Sequence, residues 1–168
     1  MRRHHLHLAA VIFSTQLITV IALPAETTLG AATTRITPSG DGIELEYTGR
    51  TGTISKEVIP LMRSGDIRYF SAGVGVEERQ AQYPSFPLKI ILVAGDKAYL
   101  SRTSITISDA TGAVRLEVPA EQVTGPWLFV DLPPGTYKIT GTRDGQTVVK
   151  DRVSVRSDGI TTVYLRWS

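Results

Sequence analysis

From Leu88 to the C-terminus, apolar and polar side chains alternate in short runs separated by Gly, Pro and Asp, which is the pattern of strands and turns. Leu88 to Ala94 departs from it. That run is apolar on both sides, with Ile90 and Leu92 on one face and Ile91 and Val93 on the other, as expected of a strand covered on both faces. After a turn at Gly95-Asp96-Lys97, Ile105 and Ile107 alternate with Ser104, Thr106 and Ser108. Asp109 to Gly112 reverses the chain into Val114 to Val118, and Pro119 stops that strand. Trp127 to Leu132, Thr136 to Arg143, Thr147 to Val155 and Ile160 to Trp167 complete seven strand candidates, the last two introduced by Asp144-Gly145 and Asp158-Gly159. With no long helical pattern competing, the series predicts an all-β antiparallel sandwich.

The stretch Leu128 to Thr140 holds this series together. Leu132-Pro133-Pro134-Gly135 ends one alternating run and Tyr137 begins the next, so the chain turns a hairpin-like corner here. Two prolines fix φ and remove two backbone donors, and Gly135 is free to adopt the positive φ of a tight reversal. Tyr137 directly follows, where its ring packs inward and its hydroxyl reaches nearby backbone, as corner tyrosines do. Leu132, Pro133, Pro134, Gly135 and Tyr137 are therefore expected to be structural. Trp167 shares phase with Val163 and Leu165 and is expected to close the core.

Upstream the pattern is less regular. Ile43, Leu45 and Tyr47 alternate with Glu44 and Glu46 in a short half-buried strand, and a second runs from Thr53 to Ile59 before Pro60. Ser64-Gly65-Asp66 is a turn, Ile67 to Phe70 an extended piece, and Glu77 to Gln82 a helix of one or two turns. Residues 26–42 are small, polar and turn-rich, and read as a flexible lead-in. Residues 1–25 read as an export signal: Met1-Arg2-Arg3 precedes an apolar run from Leu8 to Leu23. That run is interrupted by Ser14, Thr15, Gln16 and Thr19 and falls short of the roughly 20 apolar residues that span a bilayer, so no stable membrane anchor is expected after cleavage. Cleavage follows Ala25, Ala31 or Ala32. The expected organisation is a leader over 1–25 (to 32 at the latest), a lead-in over 26–42, an N-terminal extension over 43–87 packing on the sandwich, and the sandwich over 88–168.

Loss of the leader changes the charge balance. The whole chain carries a formal charge of +2, but without Arg2 and Arg3 the remaining 16 basic residues equal the 16 acidic ones. No long block of like charge remains, so no nucleic-acid groove is expected. The chain has no cysteine, which removes disulfides, thiolate nucleophiles and a lipidated cysteine. His4, His5 and His7 all lie in the leader, so the mature chain also lacks histidine general bases and ligands. No catalytic residue, metal site or cofactor is expected.

Gly125-Pro126-Trp127-Leu128, then Asp131-Leu132-Pro133-Pro134-Gly135-Thr136-Tyr137, then Asp144-Gly145-Gln146 resemble the carboxypeptidase regulatory-like domain over about residues 88–167. The resemblance implies a transthyretin-like, Greek-key sandwich. With the pattern above, the expected fold is an all-β antiparallel Greek-key β-sandwich of about seven strands with a short mixed N-terminal extension. The whole chain also resembles small exported bacterial proteins carrying this domain, a group with no assigned activity to carry over. In the metallocarboxypeptidases the module sits behind a zinc peptidase domain for which this chain has no residue set, so peptidase activity is not implied. The related transthyretin-like hydrolase of urate breakdown relies on histidines that the mature chain lacks, and Tyr164 to Ser168 is only superficially similar to its tail.

Two aromatic residues are the candidate ligand or partner face. Trp127 and Phe129 share one side of their strand, and aromatic rings stack well on sugars and apolar ligands. The competing expectation is that Tyr69, Phe70, Tyr83 and Phe86 of the 61–87 segment cover that side. Ser71 to Val76 superficially suggests a phosphate loop, but a third glycine is missing and Glu77-Glu78 would repel phosphate. The acids lie in turns or on solvated faces without calcium-loop spacing. The expected function is a non-catalytic periplasmic or secreted module contacting an envelope protein or glycan. The alternatives are a carbohydrate-binding module with an aromatic platform and a hydrolase whose carboxylates converge with Arg or Lys in a cleft.

Overall fold

A computed structural model describes residues 32–49, 51–96 and 98–168. The expected export segment over 1–25 lies outside them. Strands β1 (Thr33–Ile36), β2 (Gly42–Thr48) and β3 (Ile54–Pro60) form a three-stranded antiparallel sheet in that order. A six-stranded sheet contains β4 (Met62–Ser64), β5 (Ile67–Ala72), β6 (Leu88–Ala94), β7 (Ala98–Tyr99), β10 (Trp127–Val130) and β13 (Thr161–Trp167). Its order is β13-β6-β10-β5-β4, with β7 added on β6. A four-stranded sheet runs β12-β11-β8-β9, from β8 (Ser104–Asp109), β9 (Val114–Val118), β11 (Gly135–Arg143) and β12 (Gln146–Val155). The single α-helix among the described residues, α1 (Val76–Gln80), is short, and a 3-10 turn spans Ala120–Gln122.

The six-stranded sheet lies between the other two because its sequence is apolar on both faces. Leu88, Ile90 and Leu92 of β6, Leu128 and Val130 of β10, and Leu165 and Trp167 of β13 point toward the four-stranded sheet. There they meet Ile105, Ile107, Leu116, Tyr137 and Ile139 in the first core. Ile91 and Val93 of β6, Trp127 and Phe129 of β10, and Phe70 of β5 point the other way, into a second core closed by Ile43, Ile59, Leu61 and Phe86. The all-β sandwich expected from the sequence is present, and Leu88 to Ala94 is covered on both faces.

Several connections differ from the local pattern. β13 pairs parallel to β6, Val163 opposite Ile90 and Leu165 opposite Leu92, so the sandwich is not wholly antiparallel. β5 is hydrogen-bonded to β10 inside the sandwich's own sheet, which therefore begins upstream of Leu88. Part of the lead-in is ordered, since Thr33 to Ile36 pairs with Ile43 to Glu46.

The corner at 131–137 joins the two sheets of the sandwich rather than forming a hairpin, since β10 and β11 do not pair. Asp131 is held by the Arg68 guanidinium through two hydrogen bonds of 2.6 and 3.0 Å, and its amide donates to the Arg68 carbonyl. Leu132 is buried in the first core, while Pro133 and Pro134 are exposed. The Tyr137 hydroxyl donates to the Pro133 carbonyl at 2.8 Å. Gly135 does not adopt positive φ; its lack of a side chain matters because a Cβ would stand 3.2 Å from the Tyr137 ring.

A second glycine is fixed by close approach across the first core. A Cβ on Gly141 would lie 2.8 Å from both Leu165 Cδ1 and Trp167 Cη2. Gly141→Ala should overpack this contact and cost about 1–3 kcal/mol. Tyr137→Phe removes one hydrogen bond and should cost about 1 kcal/mol. Urea unfolding checks both: the midpoint falls with the slope unchanged, whereas wild-type midpoints would refute these roles.

Candidate functional site

The proposed aromatic face lies in the second core. The Phe129 ring stacks on Phe70 at 4.6 Å with an interplanar angle of 8°, and Phe86 meets Phe70 edge-on at 5.0 Å. Tyr83 packs against both Phe70 and Phe129, and Trp127 meets Phe129 near-perpendicularly at 6.4 Å. Trp127 retains 9% exposure and Phe129 only 3%, so neither presents a ring face as a flat platform. The cover comes from Tyr83 and Phe86, as the competing expectation held, together with β2 and β3. Tyr69 is on the opposite face of β5, with its hydroxyl donating to Gln122 at 2.7 Å.

Two cations flank the cluster, the Arg68 guanidinium 5.6 Å from the Phe86 centroid and the Lys89 ammonium. Lys89, opposite Phe129 in the ladder, holds its ammonium 3.4 Å from the centroid of a Trp127 ring and 5.2 Å from that of Phe129. Partial burial pushes its pKa below the ordinary lysine value, because the aromatic faces replace only part of the lost hydration. Gly73 also approaches the indole: it has φ +95°, and a Cβ there would stand 3.0 Å from Trp127 Cδ2. Tyr83 Oη and Trp127 Nε1 are buried with no hydrogen-bond partner among the described residues. Burial drives the Tyr83 phenol well above its usual pKa.

The loop after β5 is internally satisfied. The Gly73 and Val74 amides donate to Glu78 Oε2 at 2.6 and 3.2 Å, while Arg79 donates to the carbonyls of the same two residues. Amides that would cradle a phosphate are occupied by the chain's own carboxylate.

Across the sandwich, the outward face of the four-stranded sheet carries an open groove of about 700 Å³. Ser108, Thr136 and Thr140 contribute hydroxyls, and Asp109, Lys138, Asp151 and Arg152 contribute charge. The β11–β12 ladder creates this arrangement through a bulge. Tyr137 pairs with Val153 but Ile139 pairs with Lys150, leaving Asp151 and Arg152 opposite Lys138 alone. Arg152 consequently adopts φ +54°, an unfavourable conformation for a side chain of its size. Asp109 Oδ1 accepts bonds from the Thr111 hydroxyl and amide and from the Ala113 amide. The Thr111 hydroxyl does most to hold its carboxyl below the usual pKa.

Lys89 and Arg152 did not stand out in the sequence, although both leave a trace there. Lys89 interrupts an apolar run between Leu88 and Ile90. Lys150-Asp151-Arg152 breaks the alternation of β12 with three consecutive charges, as an inserted bulge residue would.

These features define a three-layered β-sandwich with an enclosed aromatic core and an open polar face. No family model matches the chain, and no curated protein matches it. Among solved structures it is similar to the C-terminal fragment of the pilus adhesin SpaC from Lactobacillus rhamnosus GG, at 16% identity and a TM-score of 0.27, over 75% of this chain and 68% of that one. Among the described residues, no helix is long and apolar enough to cross a membrane.

With Trp167→Phe leaving Trp127 as the only tryptophan, acrylamide should quench emission weakly; quenching like that of a free indole would place the ring in solvent. In the same chain, Trp127 emission should titrate below the ordinary lysine pKa of 10.5, and Lys89→Met should abolish that step. A titration unchanged by Lys89→Met would remove the lysine from the indole.

Proposed function

We propose that this chain is an exported, non-catalytic module that contacts a protein or glycan of the cell envelope through the groove on its four-stranded sheet. The observation that carries the reading is the bulge, which keeps Arg152 in a strained backbone conformation beside Lys138 and Asp151 on an exposed, hydroxyl-lined surface. Strain retained on a solvated face has no packing benefit to offset it, and binding residues are a common reason for its persistence. The groove supplies both donors and acceptors, which suits sugar hydroxyls or a polar peptide. The leader-like N-terminus, and the resemblance of the Leu132 to Tyr137 stretch to carboxypeptidase regulatory-like domains, support an exported module. A carbohydrate platform at Trp127 and Phe129 is not part of this reading, since both rings are enclosed.

The hydrolase alternative also points to this groove, where carboxylates, Lys138 and Arg152 gather. Two features favour contact over catalysis. Asp109 Oδ1 already accepts three bonds from its own turn, and the groove is open to water, which weakens the electrostatic stabilisation catalysis relies on.

Arg152→Gly separates the strained backbone from the guanidinium. The variant should gain about 1 kcal/mol of stability by relieving the left-handed conformation. It should also lose about tenfold in co-sedimentation affinity for isolated envelope fragments, as should Lys138→Glu. Unchanged binding in both variants, or no binding by the wild-type chain, would refute the groove as the contact surface.

A further inference from the structure

The edge of β3, unpaired among the described residues, is complementary to itself. Leu61 donates to the Asp41 carbonyl and Gly49 to the Thr53 carbonyl, both at 2.9 Å. In the β2–β3 register these are alternate antiparallel pairs, so the odd-numbered residues of β3 direct their backbone groups toward β2. Ile54, Lys56 and Val58 direct theirs away from it, at the end of the three-stranded sheet. The side chains of these three residues share the sheet's outward face. Ile54 is 62% exposed and Val58 61% exposed, so two β-branched side chains flank Lys56 in solvent.

A lysine at an edge normally discourages pairing with another strand. Here that effect is reduced, because the Lys56 ammonium lies 2.8 Å from Glu46 and 3.7 Å from Glu44, and Glu44 also binds Arg35 at 2.8 Å. These four side chains sum to zero charge. Burial of the backbone groups that Ile54, Lys56 and Val58 direct away from β2 therefore does not require a counter-charge from the partner.

We propose that β3 pairs antiparallel with β3 of a second copy of this chain, centred on Lys56. Two-fold symmetry then places Ile54 opposite the partner's Val58 and Val58 opposite the partner's Ile54, two favourable β-branched pairs on one face. Each Lys56 faces its counterpart while held by its own two glutamates. Shifting the centre to Ile54 or Val58 loses this match, and the Val58-centred register uses Pro60, which has no N–H to give. The two three-stranded sheets join into one of six strands. This inference does not depend on the groove, which belongs to a different sheet.

The absence of native cysteine allows a direct test. In this register Ser55 faces the partner's Glu57 as a non-hydrogen-bonded pair, the closer of the two antiparallel geometries. An equimolar mixture of Ser55→Cys and Glu57→Cys chains, held in a glutathione redox buffer, should form a disulfide-linked heterodimer well in excess of either homodimer. In sedimentation equilibrium, wild-type chain should dimerise, and Ile54→Lys and Val58→Lys should each raise the dissociation constant about tenfold or more. Circular dichroism establishes that the lysine variants remain folded. Equal cross-linking in the mixture and in the single variants, a monomeric wild-type chain, or a dimer indifferent to both lysines would overturn the proposal.

Discussion

The fold depends on a sheet that is apolar on both faces. β6 and β10 lie side by side at its centre, with Leu88, Ile90, Leu128 and Val130 toward one neighbour and Ile91, Val93, Trp127 and Phe129 toward the other. Burial of each large side chain is worth roughly 1.5–3 kcal/mol, so leaving either face in water would forfeit much of a small domain's margin. An ordinary two-layer sandwich covers only one. The three-stranded sheet and the Tyr83 to Phe86 segment cover the other, which ties the N-terminal region to the sandwich energetically.

This arrangement also governs where recognition can occur. The largest aromatic residues are enclosed, and Lys89 and Gly73 both lie against the Trp127 indole. What remains open for contact is the polar, bulged groove opposite the first core and the β3 edge beyond the second, where Ile54 and Val58 are exposed. Both are formed by strands whose inward faces help close a core, so rigid supports carry them. The corner at Leu132 to Tyr137 passes between the layers and fixes the start of β11, from which Lys138 enters the groove.

Much of this was legible wherever the determinants are local. The two-sided apolar run at Leu88 to Ala94 implied two coverings, Tyr137 implied its hydroxyl contact, and alternation located the strands from Ser104 onward. Sheet membership was less legible, because it depends on partners distant in sequence. Nothing between Ile67 and Ala72 announces pairing with Trp127 to Val130, and nothing in β13 announces a parallel alignment with β6. β1 was hidden because Thr33-Thr34-Arg35 is polar and gains its order from β2. At Gly135 the steric reason was a neighbouring ring rather than a positive φ. The groove escaped notice because it arises from a register shift, although the charge triplet at 150–152 marked its place.

The central claim is that one sheet couples two cores, and each core contains one of the chain's two tryptophans. Fluorine NMR of the fluorotryptophan-labelled chain, followed through urea unfolding, reads Trp127 and Trp167 separately in the same molecule. Coincident transitions at both positions are predicted, because uncovering either face destabilises the shared sheet. A Trp127 resonance that moves to its unfolded position while Trp167 remains native would show that the second core is a separable addition, contradicting the account.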